Sequence, residues 1–125
     1  MNARDPKLIV LLFNECKRER DVEGMSQLMT DDHSLICYGH VDTTDKESSI
    51  AAWTSFFEDY PGYLNHFHRI ESRDDFVVIV GNSTCPNEEF LNKPALWSAK
   101  IAGDKISEWQ VYEDNVENRK RLGIG

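Results

Sequence analysis

The sequence lacks a long apolar run and a leader-like segment. Its longest apolar run, residues 8–13, is far shorter than the roughly 20 residues that a membrane-spanning helix needs. No basic segment followed by an apolar stretch marks the N-terminus, so we expect no targeting signal and no membrane partner.

Positive charge is also scarce. The 125 residues contain 14 Lys and Arg against 22 Asp and Glu, which gives a formal net charge of −8. The few basic clusters are interleaved with acids or lie near a terminus, so no basic stripe offsets the acidity. A chain of this kind repels a phosphate backbone, and we expect no nucleic-acid partner.

Cysteine is limited to three widely spaced residues, Cys16, Cys37 and Cys85, with no Cys-x-x-Cys pair. This pattern favours free thiols in a reducing compartment over a disulfide framework or a zinc site, and predicts a cytoplasmic protein. Glycine-rich phosphate loops, a Gly-x-Ser-x-Gly nucleophile motif and a His-Glu-x-x-His metal motif are missing as well. We therefore predict no cofactor and no metal.

What is present is enough for one domain with a real core, and we assign residues 1–125 to it. Asp5-Pro6 predicts a helix start, and the apolar spacing of Leu8, Leu11, Leu12 and Cys16 predicts a helix over residues 6–20. Two further helices are expected at residues 22–29 and 45–59, the latter introduced by a Thr44-x-x-Glu47 capping box.

Strand patterns dominate the rest of the chain. Strands are expected at residues 33–40, 63–72, 76–84, 95–102 and 105–113, with a Gly103-Asp104 turn between the last two. Residues 115–125 form a polar tail with a weak apolar anchor at Leu122 and Ile124. Helices followed by antiparallel strands predict an α+β domain whose helices pack on one face of a bent sheet.

Three segments carry a resemblance to a known family: Asp21 to Asp32, Trp53 to Pro61, and the hairpin from Gly103 to Asp114. They resemble the nuclear transport factor 2-like (NTF2-like) superfamily, and within it the SnoaL-like proteins of the polyketide-cyclase and ketosteroid-isomerase group. The resemblance implies a cone-shaped roll, with a curved mixed or antiparallel sheet around about three N-terminal helices and a pocket for small hydrophobic molecules.

The same resemblance argues against steroid isomerisation. The positions that ketosteroid isomerases use fall on Phe13, Cys37 and Leu96, and neither a phenyl ring nor an isobutyl group can donate a hydrogen bond to an enolate. A buried thiol is a poor substitute for a positioned carboxylate.

Two histidines are the strongest candidates for chemistry. His66 and His68 are two residues apart on one strand and share a face of the sheet, so both point into the pocket if that face is the concave one. The segment around His66 resembles the strand that carries one of two catalytic histidines in scytalone dehydratase, whose partner histidine would fall near Asn82. Alternatively, one histidine faces the pocket and neither does chemistry, or both lie on the outer face of the sheet at a subunit interface.

The last strand offers carboxylates. Alternation places Glu113 on the apolar face with Trp109 and Val111, whereas many SnoaL-like relatives use an acid close to Asp114. Burial among aromatic rings is expected to raise the pKa of either acid, which suits a general acid or base.

The predicted site combines His66 as base with Glu113 or Asp114 as polar partner. The residues expected to contact substrate are aromatic or polar and lie on the third helix and the strands: Trp53, Phe56, His68, Asn82, Trp97, Trp109, Tyr38 and Cys37. The hypothesis is an aromatic-lined pocket for a small hydrophobic, even polycyclic, compound, in a homodimer formed through the outer face of the sheet. The function is either cofactor-free isomerisation, cyclisation or dehydration, or non-catalytic binding and association.

Overall fold

The structure, a computed structural model, describes residues 5–124, in which four α-helices and one curved six-stranded sheet are found. The α+β class is confirmed. The helices are α1 (Pro6–Arg18), α2 (Val22–Gln27), α3 (Lys46–Asp59) and α4 (Val116–Arg121), and the strands are β1 (Met29–Cys37), β2 (His40–Thr43), β3 (Leu64–Arg73), β4 (Phe76–Thr84), β5 (Lys93–Ala102) and β6 (Lys105–Glu113).

Aspartates begin the three N-terminal helices. The Asp5 carboxylate accepts a hydrogen bond from the backbone N–H of Lys7 at 2.9 Å, and Pro6 occupies the first turn, where no N–H bond is lost. Asp21 caps α2 in the same way. At α3 the cap is Asp45, which accepts from the Ser48 N–H at 2.7 Å, rather than Thr44 of the predicted capping box.

The strands are ordered β2-β1-β6-β5-β4-β3. β1 and β6 pair in parallel, and every other neighbouring pair is antiparallel. The predicted limits of β4 and β6 are confirmed. β2 was not predicted: the chain reverses after β1 at Tyr38 and Gly39, whose φ angles of 52° and 84° both lie in the left-handed region, as a two-residue hairpin turn requires.

The main core lies between the concave face of the sheet and helices α1 and α3. Trp97 and Trp109 project from β5 and β6 into this core and are 1% exposed. Trp53 and Phe57 approach from α3, so the buried aromatic side chains of that helix face the sheet. The core is therefore rich in rings, and rings form most of the walls of any space left inside it.

The buried face of α1 differs from the predicted one. Leu8 and Leu11 are each 46% exposed, while the buried residues are Ile9, Val10, Phe13 and Lys17. Residues 8–13 are all apolar, so spacing alone could not decide which side of the helix faces the sheet. The consequence is that a lysine, rather than Cys16, ends the buried stripe.

A second apolar cluster covers part of the outer face of the sheet. Leu122 and Ile124, each 4% exposed, pack with Val78, Leu96 and Tyr112. The predicted apolar anchor is thus confirmed, but the predicted polar tail contains helix α4. In addition, the Arg73 guanidinium donates hydrogen bonds to the backbone carbonyls of Leu122 at 2.5 Å and Gly123 at 2.9 Å.

Candidate functional site

A cavity of about 190 Å³ lies between α1, α3 and the concave face of the sheet. Most of its wall is apolar, with a few polar groups. The lining residues are Lys17, Leu35, Cys37, Tyr38, Asp42, Ala52, Trp53, Phe56, Tyr63, Leu91, Trp97, Trp109 and Val111. Six of the predicted substrate-contacting residues are among them: Cys37, Tyr38, Trp53, Phe56, Trp97 and Trp109.

Lys17 is the charged side chain on the inner wall. It ends the buried stripe of α1 and is 3% exposed. Its Nζ atom lies 4.6 Å from the ring centroid of Trp53 and 4.9 Å from that of Trp109. Two aromatic faces therefore hold the amine within the cavity wall.

Burial lowers the pKa of Lys17 to about 7, with a smaller contribution in the same direction from Arg20. Removing an ammonium from water disfavours the charged form, although the aromatic faces of Trp53 and Trp109 favour it. The amine therefore exchanges between its neutral and charged forms near neutral pH. That is the range in which a lysine can act as a base or as a nucleophile.

A hydrogen-bonded chain fixes the amine. Lys17 Nζ donates to Asn65 Oδ1 at 2.5 Å, and Asn65 Nδ2 donates to the Tyr63 hydroxyl at 2.8 Å. Tyr63 itself lines the cavity, and burial raises the pKa of its phenol above the ordinary value. The phenol thus keeps its proton at neutral pH and is a proton donor, linked to the amine through one amide.

Asp42 and Cys37 form a second polar group on the wall. Burial, helped by the adjacent Asp42 carboxylate, raises the pKa of the Cys37 thiol to about 12. The thiol is therefore protonated and is not a nucleophile at neutral pH. Asp42 is exposed, as is Tyr38, so these two residues mark the solvent side of the cavity.

The Trp53 indole adds a donor without a partner. Its ring lines the cavity, and its buried Nε1–H makes no hydrogen bond to any of the described residues. A buried N–H of this kind costs free energy unless an acceptor reaches it.

His66 and His68 lie on the outer face of the sheet, both exposed. His66 Nε2 shares a hydrogen bond with Thr84 Oγ1 at 2.8 Å, and His68 Nε2 donates to Asn82 Oδ1 at 2.5 Å. It is the alternate residues of β3, Asn65 and Phe67, that point inward. The face carrying the imidazoles is therefore not the concave one, and the structure brings His68 and Asn82 together outside the cavity.

The two carboxylates at the end of β6 also lie away from the cavity. Trp109 and Val111 face it as predicted, but Glu113 is exposed beyond the wall, and its backbone carbonyl accepts a hydrogen bond from Asn118. Asp114 pairs with Arg119 at 2.6 Å, and this pairing lowers the pKa of the carboxyl. The pKa of Asp114 is therefore lowered, not raised as expected, because its neighbour is a cation and not an apolar wall.

The three residues that the resemblance matched to ketosteroid-isomerase positions lie in different places. Cys37 lines the cavity, Phe13 is buried against Trp109 with ring centroids 5.0 Å apart, and Leu96 belongs to the cluster on the outer face. Among residues 5–124, no group of three His, Cys, Asp or Glu side chains is arranged to hold a metal ion.

Sequence reasoning missed Lys17, Asp42 and Tyr63. One signal for Lys17 existed: it continues the helical spacing of Val10 and Phe13, so it falls on an apolar stripe. A lysine at such a position is usually found at the boundary of a core with its ammonium in water. Asp42 and Tyr63 carried no comparable signal, because Asp42 lies in a turn-like segment and Tyr63 is the first residue of a predicted strand, where the direction of its side chain is not set by alternation.

Comparison with known proteins yields structural similarity alone. No family model matches the sequence, and no curated protein matches it. Solved structures with this fold include proteins described as NTF2-like, as SnoaL-like polyketide cyclases and as a ketosteroid isomerase.

Three of these structures illustrate the likeness. An uncharacterised cystatin-fold protein from Novosphingobium aromaticivorans is 18% identical, with a TM-score of 0.77 over 88% of this chain and 99% of the other. A protein described as a SnoaL-like polyketide cyclase, from Shewanella putrefaciens, is 15% identical, with a TM-score of 0.76 over 94% and 85%. TerC, co-crystallised with polyporic acid, is 15% identical, with a TM-score of 0.70 over 95% and 99%.

The chain therefore has the fold of the NTF2-like superfamily, as its sequence segments predicted. Sequence identities of 15–18% are compatible with a shared fold but do not show a shared reaction. In the described residues no helix is both long enough and apolar enough to cross a membrane.

Proposed function

We propose that this protein binds a small single-ring carbonyl or enol compound in its aromatic cavity and promotes cofactor-free proton transfer on it. The observation that carries the proposal is the buried Lys17 amine on the wall of the cavity, between the rings of Trp53 and Trp109. The fold supports it too, since structures described as SnoaL-like polyketide cyclases and as a ketosteroid isomerase share this architecture.

The polar groups have complementary roles in this proposal. With a pKa of about 7, Lys17 can accept a proton as the amine or donate a hydrogen bond as the ammonium. Tyr63 is a protonated phenol that lines the cavity, so it can donate to a developing enolate oxygen. His66, Glu113 and Asp114 have no role in it, because they lie outside the cavity.

The volume of the cavity limits the size of the ligand. An apolar cavity of about 150 Å³ holds one benzene ring, and this cavity is about 190 Å³. We therefore narrow the predicted ligand from an aromatic or polycyclic compound to one with a single ring and a short substituent. Polyporic acid in the TerC co-crystal is a ligand of that protein and suggests only that this fold accepts such chemistry.

The test follows exchange of the α-protons of acetophenone in D2O by NMR, with wild type, Lys17→Met and Lys105→Met. Lys105 is an exposed lysine and provides the matched control. We expect exchange to be accelerated by wild type and Lys105→Met and to fall by about 10²-fold or more in Lys17→Met. Equal exchange in all three proteins would remove Lys17 from the mechanism.

Non-catalytic ligand binding is the second candidate. It is favoured by the position of the predicted acid and base residues outside the cavity and by aromatic walls that can hold a ring without reacting. Tryptophan fluorescence separates the two, because Trp53, Trp97 and Trp109 report binding whether or not a reaction follows. Saturable quenching by acetophenone without proton exchange would establish the binding role.

Three organisational features also remain our proposals: one domain, a reducing compartment such as the cytoplasm, and a homodimer. All three cysteines are free, which supports the compartment. For the dimer, the part of the outer face around His66 and His68 is left exposed by the C-terminal residues. Sedimentation equilibrium of wild type and His68→Glu tests it, since a buried carboxylate at that interface should produce monomers.

A further inference from the structure

We propose that the Lys17 amine forms a covalent iminium with an aromatic aldehyde or ketone bound in the cavity. This inference rests on the proposed function and specifies how the amine acts there. Lys17 Nζ is the only lysine nitrogen on the cavity wall among the described residues. The bound ring would stack among the same indoles that flank the amine.

The geometry meets the requirements of such a step. The amine must be held in place beside the ligand, and the hydrogen bond from Nζ to Asn65 Oδ1 at 2.5 Å fixes it at the cavity wall. Water must be scarce so that the imine is not hydrolysed at once, and Lys17 is 3% exposed. An acceptor on the ligand must find a donor, and the protonated Tyr63 phenol lines the same cavity.

In this step the bonds formed and broken balance, and no added oxidant or reductant is required. The nitrogen lone pair attacks the carbonyl carbon, a C–N bond forms, and the oxygen becomes the hydroxyl of a carbinolamine. The C–O bond then breaks, and the oxygen leaves as water with one proton from nitrogen and one from the medium. The product is a protonated imine, which acidifies the neighbouring C–H bonds and so serves the proton transfer proposed above.

Selectivity among the lysines follows from burial. An exposed lysine, with a pKa near 10.4, is neutral in roughly one molecule per thousand at about pH 7.5. Burial lowers the pKa of Lys17 to about 7, so at that pH more than half of this side chain is the reactive amine. Low concentrations of carbonyl compound should therefore modify Lys17 first.

The test is reductive trapping with benzaldehyde and sodium cyanoborohydride at about pH 7.5, followed by intact mass and peptide mapping. We expect one adduct, in which a benzyl group replaces one hydrogen of Lys17 Nζ. It should persist in Lys105→Met and be lost in Lys17→Met. The wild-type peptide map alone decides the site, so the result does not depend on the folding of a variant.

Other outcomes separate this inference from the proposed function. Quenching of tryptophan fluorescence by benzaldehyde, with no adduct or with adducts spread over exposed lysines, would overturn the iminium and leave the binding site in place. Absence of both quenching and adduct would overturn the inference together with the proposed cavity function. Proton exchange of acetophenone without trapping would assign Lys17 as a base rather than a nucleophile.

Discussion

The two faces of the sheet place polar side chains in opposite ways. On the concave side a lysine is buried between two indole rings, whereas on the outer side two histidines are exposed and bonded to Thr84 and Asn82. By residue type alone the histidines have the better pKa for acid-base work at neutral pH. Burial, however, brings the pKa of Lys17 into that range. The comparison teaches that environment, more than residue type, decides which group is suited to chemistry.

One strand contains both environments. Asn65 and Phe67 of β3 face inward, where Asn65 holds Lys17 and Phe67 packs on Trp97 with ring centroids 5.1 Å apart. His66 and His68 alternate with them and face outward. A shift of one residue in the register of β3 would therefore exchange the two sets.

The largest expected effect concerns the buried amine. Because burial lowers the pKa of Lys17 from 10.5 to about 7, the unfolded chain binds more protons than the folded protein between those values, and stability rises with pH. Relative to Lys17→Met, wild type should gain about 1.4 kcal/mol of unfolding free energy per pH unit between about pH 7 and pH 10.5. Urea denaturation at several pH values measures this difference. The same comparison with Lys105→Met should show no such slope.

The next largest effect is expected for the second apolar cluster, on the outer face of the sheet. Leu122→Ala removes a buried side chain from the contact with Val78, Leu96 and Tyr112, and should lower the free energy of unfolding by about 2 kcal/mol. Leu8→Ala is the matched control, since Leu8 is 46% exposed, and its effect should stay within about 0.5 kcal/mol. Similar losses in both variants would mean that the C-terminal residues do not cover the sheet.

An effect of similar size tests the pairing of β3 with β4, which decides which side chains of β3 face each side of the sheet. Gly81 of β4 lies opposite Phe67, and a Cβ atom there would overlap the backbone carbonyl oxygen of His66. Gly81→Ala should therefore cost about 1–3 kcal/mol in chemical denaturation, because backbone rather than a flexible side chain must shift. If the variant is as stable as wild type, the register of β3 against β4 differs from the one described.

The smallest effect is expected at the β1–β2 turn. Tyr38 has a φ of 52°, a conformation that asparagine tolerates better than tyrosine. Tyr38→Asn should raise the free energy of unfolding by about 0.5 kcal/mol, measured by thermal denaturation. A loss of stability would show that the contact of the Tyr38 ring with the Lys93 ammonium, 4.7 Å from its centroid, outweighs the backbone strain.

Much of the fold could be predicted from short sequence signals. Asp5-Pro6 and the Gly103-Asp104 turn predicted the first helix start and the last hairpin, because each sets a backbone conformation by itself. β2 and α4 were missed for the opposite reason. β2 is four residues long and follows a turn without the usual glycine or asparagine at its first position, and α4 is six residues long.

The site was less predictable than the fold. Six aromatic and neighbouring residues of the cavity wall followed from the resemblance to the NTF2-like fold together with the helix and strand periods, but Lys17, Asp42 and Tyr63 did not. Placing Lys17 inside requires knowing which side of an all-apolar helix segment meets the sheet, and placing His66 outside requires the register of β3. Both are tertiary facts, decided by packing of segments far apart in the sequence.

The most direct test of the account is an NMR titration of the lysine side chains labelled with ¹⁵N and ¹³C at the ε position, with Lys17→Met used for assignment. We expect the Lys17 signal to titrate with a midpoint of about 7, well below the ordinary lysine value of about 10.4. Its shift should also change when benzaldehyde is added. A Lys17 midpoint among those of the exposed lysines would contradict the buried amine on which the proposed function and the iminium both depend.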